Sequence, residues 1–292
     1  MNIIIILFIF VIVLFFYLHI YYHYQTSDDL EVFEVTTLSK DRFEEICNLH
    51  QPLTMELDIN CFNKLTTPEI NKLYGSFDIK MRDISGNTNS ELYLPIIFSK
   101  ALLLINEDKT SNYYSENNDE FLKETCLIKI LKTNDYFLRP PALMSSTYDY
   151  MLGSQNTKTL FRYDINYRHY IIVICGSATI KLAPPKSSKY LFQEKDYDNF
   201  EFRSDVNPWN VQIQYQSDFG KIKCLDVNLN KGKLLFIPAY WWNSIQFNTS
   251  DTVILSFKYR TYMNNVAILP EYLKYFLQKQ NIKHNILKQN TD

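Results

Sequence analysis

The chain has 292 residues, of which 46% are hydrophobic and 15% aromatic, enough to pack one large β-rich domain with appendages or two small domains. Its formal net charge of −2 lacks the basic excess that marks nucleic-acid binders, so no nucleic-acid partner is expected. Five cysteines, Cys47, Cys61, Cys126, Cys175 and Cys224, are odd in number and widely spaced. They form no CxxC or Cys/His metal cluster and read as reduced thiols.

The first element is an apolar run from Ile3 to Leu18, extended by His19, Ile20, Tyr21 and Tyr22. About 20 helical residues at ~1.5 Å each cover the ~30 Å hydrocarbon core of a bilayer. Tyr17, Tyr21, Tyr22 and Tyr24 fall where the water boundary favours amphipathic rings. The competing reading is a cleaved signal peptide, whose apolar part runs about 7–15 residues and precedes small residues. The bulky aromatic segment after Leu18 offers no such cleavage site. Residues 1–24 are therefore expected to be a single-pass N-terminal transmembrane anchor, which makes a membrane the one partner indicated.

Residues 25–34 read as a short acidic linker, and residues 35–262 as the folded domain. Leu38-Ser39-Lys40-Asp41-Arg42-Phe43 predicts a helix start with Ser39 as N-cap and Phe43, Ile46 and Leu49 on one face. The stretch to about Asn134 mixes helix-like and irregular segments, and the polar residues 105–120 predict an exposed loop. From Thr159 the texture changes. Tyr170 to Cys175 is a β-branched strand, turned by Gly176-Ser177 into a second strand, Thr179 to Leu182. Further strand candidates are Val211–Tyr215, Ile222–Val227, Lys233–Ile237, Asn243–Phe247 and Thr252–Tyr259, with Pro184-Pro185 and Pro238 at boundaries. Short strands without alternating helices suggest a mainly β domain with flanking helices, either a double-stranded β-helix or another sandwich or barrel. Residues 263–292 form a helical tail with Tyr272, Leu273, Phe276 and Leu277 as apolar positions. Its lysines, Lys274, Lys279, Lys283 and Lys288, read as a solvated face, with attraction to an anionic membrane as the alternative.

Three blocks carry a family resemblance. The first is Leu152-Gly153-Ser154-Gln155-Asn156-Thr157-Lys158-Thr159-Leu160-Phe161-Arg162-Tyr163-Asp164; the second runs from Ile172 to Pro185; the third is Gly232-Lys233-Leu234-Leu235-Phe236-Ile237-Pro238-Ala239-Tyr240-Trp241-Trp242-Asn243. In order and spacing they resemble the cupin-like JmjC family of iron(II)/2-oxoglutarate oxygenases, and are similar to its asparaginyl hydroxylase type. Leu38 to Pro52 resembles that family's leading helix and the proline that opens its next strand.

The resemblance implies an iron site of two histidines and one carboxylate, at the positions held here by Arg162, Asp164 and Asn243. Only the carboxylate remains. A guanidinium has no lone pair to donate, and an amide is a weak ligand for iron. The family's 2-oxoglutarate lysine falls at Ala178. Thr159 matches a threonine that hydrogen-bonds the same cosubstrate, and Lys258 falls near an asparagine of the family's late Ser-x-x-Asn strand, so Thr159 and Lys258 are the vestigial cofactor-binding positions.

These departures give the following expectations. No catalytic or metal-ligating residue is assigned, and neither Fe(II) nor 2-oxoglutarate is expected as a cofactor. Arg162 and Asp164 should pair with each other where the metal sat. His169 reads as an ordinary histidine, with a rescued metal site beside Asp164 as the alternative. Trp241 and Trp242 should pack the barrel mouth rather than line a groove. Lys258 is either a snorkelling lysine or, with Arg162, part of an anion site. The chain is thus expected to be a membrane-anchored, catalytically inactive binding or structural module. The alternative is an Fe(II)/2-oxoglutarate-dependent protein hydroxylase with a non-standard metal site.

Overall fold

The computed structural model describes residues 3–36, 38–84, 93–197 and 200–289. The first half comprises α1 (Ile3–Tyr24), β1 (Phe33–Val35), α2 (Lys40–Cys47), β2 (Leu53–Glu56), α3 (Thr67–Tyr74), β3 (Asp78–Asp83), β4 (Leu94–Ile97), α4 (Phe98–Glu107), β5 (Tyr113–Ser115), α5 (Asp119–Glu124) and α6 (Ile128–Asn134). The second half is strand-rich: β6 (Leu143–Gly153), β7 (Phe161–Tyr163), β8 (Arg168–Cys175), β9 (Ser177–Ala183), β10 (Gln193–Asp196), β11 (Glu201–Ser204), α7 (Gln216–Phe219), β12 (Leu225–Asn230), β13 (Lys233–Pro238), β14 (Trp242–Phe247) and β15 (Val253–Thr261). Helices α8 (Tyr262–Ala267) and α9 (Leu269–Gln289) follow.

Among the described residues the strands form two sheets. The larger has the order β1-β2-β13-β8-β15-β6-β5-β3-β4, the smaller β10-β11-β7-β14-β9-β12. Strand β8 shows why both faces of the larger sheet are apolar. Tyr170, Ile172 and Ile174 join the core under the helices, while Ile171 and Val173 join the core between the sheets. Alternate residues of a strand point to opposite faces, so burial of both faces gives the continuous apolar run seen in the sequence. The layer between the sheets is built from Ile171, Val173, Ile180, Leu182, Ile237 and Ile245 with their neighbours. The outer face of the smaller sheet carries a third cluster around Phe161, Tyr163, Phe202 and Trp242.

The mainly β, cupin-like architecture with flanking helices agrees with the expectation from the sequence. Several local expectations do not hold. Residues 105–120 are not an exposed loop. They contain the end of α4 and strand β5, and both Glu116 and Asn118 are buried. Val211–Tyr215 is not a strand but a turn with one short 3₁₀ segment, Ile213–Tyr215, and the next strand begins at Leu225 rather than Ile222. Residues 25–34 are not a free linker. Strand β1 pairs in parallel with β2, and Asp28 Oδ1 accepts from the Lys186 N–H at 3.1 Å. Ser39 caps α2 as expected, accepting from Arg42 N, and Phe43 and Ile46 are buried. Leu49 lies past the helix end and is exposed.

Helix α1 is 22 residues long, about 33 Å at 1.5 Å per residue, long and apolar enough to cross a membrane. It projects from the domain except over its last two turns. There His23 is buried, with Nε2 3.2 Å from the Tyr240 hydroxyl and 3.2 Å from Asn264 Nδ2. The Tyr24 hydroxyl donates to the Ala267 carbonyl at 2.6 Å.

The glycine of the Leu152-Gly153 pair has a packing reason. A Cβ at Gly153 would stand 2.4 Å from the ring of Phe247, itself fully buried. Gly153→Ala should therefore overpack the core and cost roughly 1–3 kcal/mol in urea denaturation of the detergent-solubilised chain. Adding Phe247→Leu should recover part of that loss through non-additivity; strictly additive costs would mean that the ring is not the obstacle.

Candidate functional site

Strand β7 carries Arg162 between Phe161 and Tyr163. Those two aromatics belong to the outer cluster, so alternation turns Arg162 toward the space between the sheets. In register, Arg162 stands opposite Asn243 of β14. Asp164 follows the strand, and its carbonyl accepts from Tyr240 N at 2.8 Å. From the larger sheet, β8 supplies His169, and β15 supplies Ser256 and Lys258 on the face shared with Ile254. Lys258 is registered opposite His169. The positions singled out in the sequence, Arg162, Asp164 and Asn243, are thus brought to one end of the barrel, together with His169 and Lys258.

Arg162 and Asp164 do not pair with each other as expected; each finds a closer partner. Arg162 makes a two-pronged contact with Glu116, Nη1 to Oε1 at 2.9 Å and Nη2 to Oε2. Glu116 is fully buried. It also contacts Arg82 Nη1 at 3.3 Å, and its Oε1 accepts from the Tyr93 hydroxyl at 2.8 Å. Glu201 closes the cluster, with Oε1 3.1 Å from Arg82 Nη1 and 3.7 Å from Arg162 Nη1. Burial alone would raise the Glu116 carboxyl, but the guanidiniums of Arg162 and Arg82 outweigh it and hold the group well below the usual carboxylate range. Burial and the neighbouring Glu116 and Glu201 push the Tyr93 phenol up, so it stays a hydrogen-bond donor at neutral pH.

The turn that delivers Glu116 is built for the purpose. Asn117 sits at φ 59°, a left-handed conformation that asparagine tolerates. Asp149 of β6 accepts from the backbone N–H of Asn117 and of Asn118, each at 2.8 Å. The Asn118 side chain accepts from Lys80 N and donates to the Tyr150 carbonyl, both at 2.8 Å.

Asp164 is engaged from two sides. Lys258 Nζ lies 3.0 Å from Oδ1, and His169 Nδ1 lies 2.9 Å from Oδ2. Burial raises the Asp164 carboxyl, but Lys258, His169 and Arg162 together hold it well below its ordinary value. Burial lowers His169 more than Asp164 raises it, so the imidazole is neutral. Its Nε2 is 2.9 Å from Ser256 Oγ. His169 is therefore a buried histidine satisfied by Ser256, and it lies beside Asp164 in the site. Lys258 is not a snorkelling lysine, and its charge and that of Arg162 are already countered by Asp164 and Glu116.

The remaining positions are taken up by packing. Thr159 is buried, and its hydroxyl accepts from Ile245 N at 2.9 Å, stitching the segment to β14. Ala178 faces the apolar layer between the sheets. Asn243 is buried with Nδ2 3.4 Å from the Trp241 carbonyl. Trp241 and Trp242 are both fully buried; the Trp242 indole donates to Ser188 Oγ at 2.8 Å.

The sequence profile of the cupin-like domain family matches residues 89–265, more than half of the chain. The chain belongs to the cupin-like domain family. It is also similar to Lysine-specific demethylase JMJ31 of Arabidopsis thaliana, 24% identical over 170 residues that cover 56% of this chain and 29% of that protein. The chain thus spans under a third of the length of that relative.

Measured against the iron site of cupin-like oxygenases, this cupin-like barrel has the wrong donors. Arg162 offers no lone pair, Asn243 only an amide, and Lys258 places an ammonium at hydrogen-bond distance from the one retained carboxylate. Among the described residues, no group of three or more His, Cys, Asp and Glu side chains is arranged to hold a metal. The residues present do not fit iron.

Sequence reasoning missed Glu116, Arg82, Tyr93, Glu201 and Ser256. The sequence gives no signal for Arg82: alternation in Ile79-Lys80-Met81-Arg82 puts it on the face of Lys80, away from the apolar Ile79 and Met81.

The network predicts graded costs. Glu116→Gln removes the shared anion of two buried guanidiniums and should destabilise by on the order of 3–5 kcal/mol. Lys258→Met, at a site about one-quarter exposed, should cost less, on the order of 1–3 kcal/mol, and Asp164→Asn on that background should restore most of it. Urea melts read both. Asp164 has a depressed folded-state value, so its contribution is complete above the unfolded carboxyl value of about 4 and is lost as pH falls below it. Acid unfolding of Asp164→Asn should accordingly be shallower than that of the native chain below pH ~4; parallel curves would contradict the pairing.

Proposed function

We propose that this chain is a membrane-anchored cupin-like protein whose barrel serves as a non-catalytic binding or structural module. The observation that supports this reading is the Lys258 ammonium on Asp164. A fixed cation from the protein satisfies the carboxylate that would otherwise hold one from solution, while Arg162 is committed to Glu116. An activity of the iron-dependent kind, demethylation or hydroxylation, would need lone pairs at the positions of Arg162 and Asn243. Anchoring is supported by the length and apolar character of α1 and by its exposure along all but its last turn.

The second reading, an oxygenase with a rebuilt ligand set, rests on His169 lying beside Asp164. The two are separated by metal analysis and calorimetry on the full chain, purified anaerobically in detergent. The non-catalytic reading expects no stoichiometric Fe(II) or Mn(II) and no heat of 2-oxoglutarate binding. One equivalent of metal, lost in both Asp164→Ala and His169→Ala, would overturn it in favour of the oxygenase.

A further inference from the structure

The helices that follow the barrel expose an apolar face that the domain does not use. Leu269, Leu273, Phe276 and Leu277 of α9 are each more than half exposed. Their spacing of four, three and one places them on one stripe roughly 100° wide. The opposite side of α9 is held by the domain: Tyr272 stacks on Phe200 at 5.4 Å between centroids, Tyr275 meets the same ring edge-on, and Glu271 contacts Lys195 at 3.2 Å. The stripe is thus set outward by packing rather than by chance. Tyr262 and Val266 of α8 are exposed as well.

The charge pattern is one-sided. No Asp or Glu occurs from Tyr272 to Thr291, whereas Lys274 and Lys279 flank the stripe and Lys283 and Lys288 follow in sequence. Lys283 and Lys288 lie beyond the residues whose side chains the structure describes. An apolar stripe bordered by lysines is the pattern of a helix lying in the interfacial plane of a bilayer.

Position supplies the argument for the occupant. The last turn of α1 is joined to α8 by the Tyr24–Ala267 and His23–Asn264 contacts, with no spacer between them. A groove of about 530 Å³ between the two helices is lined by Leu18, His19 and Tyr22 of α1 and by Met263 of α8. The domain therefore reaches back along α1 as far as Leu18, about 9 Å from the helix end. If Ile3 to Tyr22 fills the hydrocarbon core, that places α8 at the depth of the lipid headgroups.

We propose that the α8–α9 face, built around Leu273, Phe276 and Leu277, rests on the surface of the same bilayer that α1 crosses. This seat depends on the anchoring reading above and adds a second, peripheral contact that orients the barrel.

The test uses the full chain in phosphatidylcholine vesicles containing one-third phosphatidylserine, doped with a phosphatidylcholine that carries a photoactivatable diazirine on its acyl chain. Crosslinked peptides are identified by mass spectrometry. The expected result is lipid label both on α1 and within residues 269–280, with the second label lost in Leu273→Ser/Phe276→Ser while that on α1 persists. The altered residues are exposed, so folding should be retained; an unchanged urea midpoint checks this. Label on α1 alone overturns the seat and leaves the anchor standing. Absence of label from α1 overturns the anchor, and the seat with it. Chain-to-chain crosslinks through 269–280 in place of lipid label also overturn the proposal, since a second copy would then cover the stripe.

Discussion

The barrel is organised around a carboxylate that cannot be left alone. Glu116 is removed from water, and an isolated ionised carboxyl in such surroundings is prohibitively unfavourable. Two guanidiniums, one from β3 and one from β7, converge on it. They belong to opposite sheets, so the ion cluster ties the larger sheet to the smaller at one end of the barrel, as the layer of branched aliphatics does along its length. Everything at that end has to be compatible with the cluster: the left-handed turn at Asn117, the acceptance of two backbone N–H groups by Asp149, and the inward aim of Arg162.

Charge balance at this end is close. Arg82, Arg162 and Lys258 face Glu116, Glu201 and Asp164. The cations that offset these carboxylates are tethered to the chain. The fixed positive charge also weakens any attraction that the remaining carboxylates exert on a free divalent ion. Arg162 contributes most to this outcome: it removes a donor from the metal position and adds a cation at the same place.

Much of this was legible in the sequence, and the failures are instructive. The strands Tyr170–Cys175 and Lys233–Ile237 were readable because burial on both faces leaves a nearly uninterrupted apolar run. The positions of Arg162 and Asn243 came with the family resemblance, and the register of β7 and β14 sets the two opposite each other. The identity of their partners was not readable. Glu116 lies in a stretch whose polar texture, with Asn117-Asn118-Asp119, suggests solvent, and only tertiary packing shows that those polar groups point inward to satisfy one another. Opposite charges at two of the matched metal positions suggested Arg162 with Asp164. The fold instead gave each the partner that faces it across the barrel, because register rather than sequence separation sets which side chains meet. The segment from 25 to 34 looked like a tether for a similar reason: its acidic residues signal solvent, but parallel pairing of Phe33–Val35 is a long-range event with no local signature.

The joint at His23 and Tyr24 has a mechanical consequence. Most tethered domains swivel about a loose stalk and sweep a hemisphere of targets. Here the stalk ends inside the fold, hydrogen-bonded to the segment that closes the barrel, so rotation or tilt of the stalk must carry the barrel with it. On the anchoring proposed above, the domain would present one fixed aspect at one fixed height, and whatever engages it would arrive from that direction.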